Sequence, residues 1–483
     1  MQETVPTPIG ASSANPPLDK VLGRRDLILL FVVAVANLNI VPAIAAAGPI
    51  SLWLWLLALI LYFWPQGVAV TELSAMWPGE GGVYLWTKHS FGDMHAFVAG
   101  WCYWLANVVY LPTVLLSCIG AGVYIFGPEI QALADNQRFT GVTAAVLLLG
   151  LLLLSIRGES ASKWINNLGG IGTIVGAAVI CVLAALVLRG HGSAISLHSL
   201  RPQVHDWRVL AVFGTICYSL QGLDLASIMG DEIREPRKIL PGAIFWGGLI
   251  SGAVYVGVTF SMLVAMPSDQ IGVLTGVLQG VSSMAQRVDL RLVVAPLAAF
   301  QFLAILGTAS AWFSGTARLP FVAGIDRYLP PSLGRLHPRY HTPYVALIVF
   351  AILSALLILM SYLGASVSEA YLTLLAIAVV LQLIPNVYMF AALLKLAWAR
   401  RVEPGSRLYS LVNALAGLFS STLGIGLAFV PAEATAHVWT YEAKLTLATG
   451  SVLCLALLLY FRVQRKARRS GIAEVAEPHG LSN

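Results

Sequence analysis

Ala36-Asn37-Leu38-Asn39-Ile40-Val41-Pro42 places two asparagines and a proline halfway along an apolar run. Phe213-Gly214-Thr215-Ile216-Cys217-Tyr218-Ser219-Leu220-Gln221-Gly222-Leu223-Asp224 interrupts a second run in the same way. Residues of this kind loosen a helix where no water can take over the freed backbone N–H and C=O groups, so the break is tolerated where it lines a cavity. Asparagine and proline in a single span also read as interhelical hydrogen bonding and a kink. Asp224 favours a functional reading, because an ionisable group in or near the inner part of a span is costly.

Outward from these stretches the chain is built for lipid. Of its 483 residues, 58% are hydrophobic and 11% charged, whereas a soluble domain carries about 25% charged residues. Crossing a bilayer takes about 20 apolar residues. Such windows predict an all-α membrane protein of twelve transmembrane helices, at 27–45, 51–73, 93–126, 141–156, 164–188, 209–229, 242–265, 292–317, 343–363, 370–396, 408–430 and 443–462. The two breaks fall in helices 1 and 6. A separation of five predicts a five-plus-five inverted repeat with two added helices, whose discontinuous helices form the site: half-helix N-termini face an anion and unwound carbonyls a cation. A small zwitterion such as an amino acid carries both charges at a fixed spacing.

Orientation follows from Lys and Arg. Of these residues only Arg138, Arg189, Arg201, Arg208, Arg287, Arg291 and Lys444 fall on the side opposite the termini, which predicts a multi-pass protein of the inner (cytoplasmic) membrane with both termini in the cytoplasm. The basic excess then meets anionic headgroups of the lipid bilayer, and no nucleic acid is expected as a partner. The N-terminus has no signal-peptide form, and 1–23 reads as a disordered cytoplasmic tail. A transmembrane domain over 24–462 follows, with repeat one at about 24–190, repeat two at about 205–396, helices 11 and 12 at about 408–462 and a cytoplasmic tail over 463–483. Cys102, Cys118, Cys181, Cys217 and Cys454 all lie in apolar spans and read as small core residues, leaving none for a metal site. No phosphate-binding Gly-x4-Gly-Lys-Ser/Thr loop and no Ser-His-Asp constellation appear, so neither an enzyme nor a cofactor is expected.

Three stretches carry a family resemblance. Ala69-Val70-Thr71-Glu72-Leu73-Ser74-Ala75-Met76-Trp77-Pro78-Gly79-Glu80-Gly81-Gly82-Val83-Tyr84 runs on to Phe91-Gly92. Gly222-Leu223-Asp224 is followed by Gly230-Asp231-Glu232-Ile233-Arg234-Glu235-Pro236-Arg237-Lys238-Ile239-Leu240-Pro241. Trp312 leads to Asp326-Arg327-Tyr328-Leu329-Pro330-Pro331. In order and spacing they resemble the amino acid-polyamine-organocation superfamily of permeases. The resemblance implies secondary transport of amino acids by alternating access, as symport or exchange, with a proton, sodium or a counter-substrate as coupling partner. A polyamine permease on the same fold is the nearest alternative, and a membrane sensor that binds without transporting is another.

The resemblance also implies a site. Ala34, Val35, Ala36 and Asn37 would occupy the helix 1 unwinding and hold a substrate carboxylate on backbone amides. Tyr218, Ser219, Leu220, Gln221 and Gly222 would occupy the helix 6 unwinding and accept the ammonium. Asn107 and Trp312 fall at pocket positions. Many relatives have a Gly-Ser-Gly-like triplet where this chain has Ala34-Val35-Ala36, which implies an unwinding that is less open or shifted toward Asn37 to Asn39, and Thr173 stands where some proton-coupled relatives have a lysine. Relatives that bind a glycoprotein by a disulfide carry a cysteine in an outer loop. The outer loop at 127–140 has none, so no disulfide-linked subunit is expected.

Asp224 reads as a proton carrier, a partner for a cationic side chain, or a cytoplasm-facing gate residue, and Glu72 as an organiser of the helix 2 end or a proton carrier. Arg24 and Arg25 precede helix 1, and Asp231 and Glu232 follow helix 6. The inverted repeat brings these ends together as an inner gate or as a solvated charge cluster. Exposed ion pairs are worth only about 0–1 kcal/mol, which suits a contact that breaks in every cycle. Charge reversal at Asp231 and Glu232 is expected to shift the inward/outward balance read by cysteine accessibility; unchanged accessibility would count against the gate.

Overall fold

Helices form where the apolar windows predict them, and the first and sixth are divided. The computed structural model describes residues 23–77, 81–190, 192–195, 200–201, 207–228, 236–320, 328–361, 367–399, 406–431 and 438–469. α1 (Arg24–Val35) stops short, residues 36–40 leave the helical path, and α2 (Val41–Ala45) resumes with Pro42 in its first turn, where a missing N–H costs nothing. α3 (Ile50–Met76), α4 (Val83–Phe91), α5 (Asp93–Ile125), α6 (Gln137–Ile156) and α7 (Glu159–Gly190) follow. The sixth run is α8 (Val212–Ser219), a non-helical stretch at 220–224, and the single turn α9 (Leu225–Ile228). Then come α10 (Pro236–Ala265), α11 (Gly276–Arg287), α12 (Val294–Thr316), α13 (Tyr344–Ser361), α14 (Val367–Trp398), α15 (Arg407–Ala428) and α16 (Val438–Arg469).

Among the described residues nine helices are long and apolar enough to cross a membrane, and Tyr344–Met360 is a shorter apolar one. Two helices were not expected. α4 and α11 are short and lie in the connections that follow α3 and α10. Neither offers the long apolar window by which a span is recognised.

The chain turns its polar residues inward. On α6, Val142, Val146, Leu149 and Leu153 recur at helical spacing and are exposed, a face suited to lipid, while Asn37, Asn39, Gln66, Asn107, Gln221, Gln382 and Asn386 are buried. Prolines within the spans leave a carbonyl one turn back without its helical N–H, and neighbouring hydroxyls fill the gap. Pro65 frees the Leu61 carbonyl, which accepts from Ser420 Oγ at 3.0 Å, and Pro112 frees the Val108 carbonyl, which accepts from Ser354 Oγ at 3.1 Å. Just before Pro65 the α3 backbone widens into a π-turn at Leu59–Phe63. Cys102, Cys118 and Cys217 are buried as expected of small core residues, whereas Cys454 is exposed on α16.

Small residues draw α7 onto α1 and α12. A Cβ on Gly169 would lie 2.8 Å from Gly307 Cα and 2.9 Å from Val33 Cγ2, and one on Gly170 would lie 2.9 Å from the Leu29 carbonyl. Close backbone approach of this kind supplies the packing that hydrophobicity cannot supply between helices in lipid. Gly169→Ala is therefore expected to lower the melting midpoint in detergent, at a cost of about 1–3 kcal/mol for overpacking. Gly150→Ala, with nothing within 4 Å of the added methyl, is the control and should leave the midpoint unchanged or raised.

Candidate functional site

A helix that ends in the middle of a membrane leaves its last carbonyls without donors. At the end of α1 side chains from α12 and from the break itself supply them. Thr308 Oγ1 donates to the Val33 carbonyl at 2.7 Å, Trp312 Nε1 to the Ala34 carbonyl at 2.9 Å, and Asn37 Nδ2 to the same Ala34 carbonyl at 3.1 Å. Tyr255, from α10, serves both breaks. Its hydroxyl lies against the Val35 carbonyl, meets the Ser219 carbonyl at 2.7 Å and accepts from the Asn37 N–H at 2.9 Å. One hydroxyl has one proton, so the two carbonyls share it. The Tyr255 ring stacks on Trp55, with centroids 4.2 Å apart, and Trp55 Nε1 donates to Thr259 Oγ1 at 3.0 Å, one turn along α10.

The breaks also touch directly. Gly222 has φ +127°, a conformation open to glycine and rarely to other residues, and a Cβ there would stand 3.1 Å from the Ala34 carbonyl carbon and from Val35 Cγ2. In the first break the Ala36 N–H returns to the Val32 carbonyl at 2.8 Å, and Asn37 N–H is divided between the Val35 carbonyl and Tyr255. The N–H groups of Leu38 and Asn39 make no hydrogen bond among the described residues. Asn39 is held by its side chain to the Tyr110 hydroxyl at 3.1 Å and by its carbonyl to the Tyr371 hydroxyl at 2.7 Å. Tyr110 meets Tyr218 edge to face at 5.3 Å. Asn107 donates to the Tyr103 carbonyl at 2.9 Å and to Gln382 Oε1 at 3.3 Å, and the Trp312 and Tyr103 rings lie 6.4 Å apart.

Asp224 is fully buried. Its carboxylate lies against the Tyr103 hydroxyl and the backbone of its own break, at Gly222 and Asp224. Glu72 is only partly buried, and it is engaged. Arg24 and Arg25 are exposed and, with Ile28, Trp246 and Ile250, line a surface cavity of about 400 Å³. Asp231 and Glu232 lie outside the described residues, so the expected inner gate is described on one side alone. Thr173 is buried and bonds to the Gly169 carbonyl of its own helix at 2.9 Å. Among the described residues no group of three His, Cys, Asp or Glu side chains is placed to hold a metal ion.

The structure thus brings Ala34, Val35, Ala36, Asn37, Ser219, Gly222 and Trp312 together at one place. Asn107 and Asp224 each reach it through Tyr103. The sequence reading missed Tyr255, Tyr62, Gln66, Gln382 and Asn386. The pairs Tyr62/Gln66 and Gln382/Asn386 carry a signal that was there to find: polar residues four apart, on one face of an otherwise apolar span.

Membrane-length helices closed around two facing, buried breaks define a multi-pass membrane protein of the transporter class. The chain matches the amino acid permease family over residues 22–452 and belongs to it. It is 25% identical to an uncharacterized transporter of Legionella pneumophila over 85% of this chain and 90% of that one. It is 24% identical to a probable agmatine/putrescine antiporter of Lactococcus lactis (75% and 76%) and 26% identical to a branched-chain amino acid permease of Bacillus subtilis (72% and 76%). The chain is a transporter of amino acids or amines.

Tyr255→Phe removes the hydroxyl that serves three backbone groups, each of which costs about 1–3 kcal/mol when left unpaired. Hydrogen exchange is expected to rise across residues 34–40 and 216–222 and to stay unchanged across α6. Equal protection in the variant would show that the breaks do not depend on this hydroxyl.

Proposed function

We propose that the chain is a secondary active transporter, a symporter or exchanger, that moves amino acids across the cytoplasmic membrane by alternating access. The observation that carries this reading is the pair of breaks held against each other by one tyrosine hydroxyl, with their residues buried. The substrate carboxylate is taken at the first break, where the Leu38 and Asn39 N–H groups stand open, and the ammonium at the carbonyls of the second, from Tyr218 to Gly222. Trp312 and Asn107 wall the head group. The paired helices α4 and α11, in matching connections of the two halves, support twelve spans in a five-plus-five inverted repeat. The termini are cytoplasmic on the charge asymmetry of the loops. Asp224 faces a proton or the cationic end of a substrate.

One observation favours a polyamine permease instead, the fully buried carboxylate of Asp224 beside the second break. The carbonyl and amide pairing at the breaks suits a head group with both charges, which a polyamine lacks.

Counterflow in proteoliposomes tests the proposal. Labelled amino acid is expected to accumulate against the same unlabelled compound inside. Exchange confined to amines would transfer the assignment to polyamines, and saturable binding without flux would make the chain a sensor.

A further inference from the structure

The surface cavity at the start of α1 has a chemistry that the two breaks do not use. Arg24, Arg25 and Ile28 line it from α1, and Trp246 and Ile250 from α10, around a volume of about 400 Å³. A glycine lets the two helices share it. A Cβ on Gly242 would lie 3.5 Å from Arg24 Nη2, so the guanidinium rests on the α10 backbone one turn before Trp246. Gly242, Trp246 and Ile250 follow one another by a turn each and share one face of that helix.

Depth decides what can occupy the groove. At about 1.5 Å of rise per residue, Arg24 stands about 18 Å from the break at Ala36. Trp246 stands about 14 Å from Tyr255, the residue of α10 that meets both breaks. Half of the hydrocarbon core is about 15 Å thick. The guanidiniums therefore lie among the lipid headgroups, and the indole lies at the boundary, where tryptophan is enriched in membrane proteins. Ile28 and Ile250 are deeper. From the surface inward the groove offers cations, then an indole, then aliphatic side chains, which is the order of a lipid.

Nothing on the two helices answers the positive charge. α10 contains no Asp or Glu between Pro236 and Ala265. The one acid of α1, Asp26, is turned to other partners: Oδ1 accepts from Asn167 Nδ2 at 2.9 Å and Oδ2 from the Gly23 N–H at 3.1 Å. Arg24 and Arg25 are exposed and form no ion pair or hydrogen bond among the described residues. Trp246 is 47% exposed, an apolar surface left open beside two cations.

We infer that this groove binds one anionic phospholipid, with its phosphate between Arg24 and Arg25 and an acyl chain along Ile28, Trp246 and Ile250. On the orientation proposed above, the lipid belongs to the cytoplasmic leaflet, whose anionic headgroups attract basic side chains. A guanidinium presents its N–H donors in a plane that matches two phosphate oxygens. A zwitterionic lipid fills the apolar half equally well, but its own cation meets the arginines with like charge. Free phosphate answers the arginines and leaves the indole and the isoleucines bare. The site requires a chain embedded in a membrane and does not rest on the transport reading, so flux has no part in its test. It uses the same two arginines as the expected inner gate, and bound lipid and gate compete for them.

Native mass spectrometry of the full-length protein in detergent tests the site, with dioleoylphosphatidylglycerol and dioleoylphosphatidylcholine titrated in turn. Phosphatidylglycerol is expected to be held at least about tenfold more tightly, since each arginine near the surface contributes about fivefold. In the double variant Arg24→Gln/Arg25→Gln the preference should vanish, with the melting midpoint as the check on folding. Arg25→Gln alone should reduce it about fivefold, and stands in where the double variant does not fold. Trp246→Ala should weaken both lipids and keep the preference for the anionic one. Arg465→Gln/Lys466→Gln removes the same charge from the exposed basic end of α16 and should leave the preference intact. Equal binding of the two lipids by the unaltered protein would overturn the site and leave the arginines to the gate or to water. A preference that survives the loss of both arginines, or that disappears with the α16 pair, would place the lipid elsewhere and overturn it too. Displacement of phosphatidylglycerol by inorganic phosphate would reduce the groove to an anion site and overturn the lipid.

Discussion

A peptide group set free inside a bilayer must be bonded by the protein itself, and the centre of this molecule is arranged around that requirement. Two spans are cut at matching places, which frees more carbonyls than the cut helices can serve. Thr308, Trp312 and Asn37 take three of the resulting bonds, and Tyr255 takes groups from both cuts at once. Each unbonded group of this kind costs several kcal/mol in hydrocarbon. The breaks are therefore stable only as a pair, and only while α10 and α12 stay packed against them.

The same requirement explains what the sequence made legible. Helix existence was readable because lipid demands about 20 apolar residues at each crossing. The breaks were readable because asparagine, proline and glycine are conspicuous inside such runs. The short helices α4 and α11 escaped notice because they answer to no such demand. Tyr255 escaped for another reason. A tyrosine in an apolar span has no local signature, and its role exists only when α10 lies across two segments 36 and 220 residues away in the chain. The missing glycine triplet predicts a first unwinding that is less open or shifted toward Asn37 to Asn39, and residues 36–40 leave the helical path. The reason is physical: Ala36 keeps its helical bond to Val32, so the open N–H groups come at Leu38 and Asn39.

Glycine has a different task in this fold from the one it has in a soluble turn. At Gly222 it gives the backbone a conformation that other residues rarely adopt, and it lets the second break rest on Ala34 and Val35. At Gly169 and Gly307 it brings α7 and α12 to backbone contact beside Val33, next to the carbonyl that Thr308 caps. Packing and capping meet at the same residues, so the helices that hold the first break in place are the ones that close its hydrogen bonds.

Neutral contacts suit a centre that opens, as the proposed transport cycle requires. A buried ion pair loses a large solvation energy on closing and holds its partners tightly once closed. A chain of amides and hydroxyls such as Gln66, Gln221, Tyr62 and Asn386 exchanges its bonds for bonds to water at a net cost of about 0.5–1.5 kcal/mol each. Two closed arrangements of such a belt can then differ by little free energy. Among the described residues Asp224 is the carboxylate beside that belt. On the proposed transport cycle, a ligand bearing the complementary charge would gain its binding energy in the closed form, where the dielectric is low and the Tyr103 hydroxyl is the carboxylate's side-chain neighbour. A difference in affinity between closed and open forms is what a population shift requires, and in the proposed cycle one buried carboxylate among neutral amides would supply it.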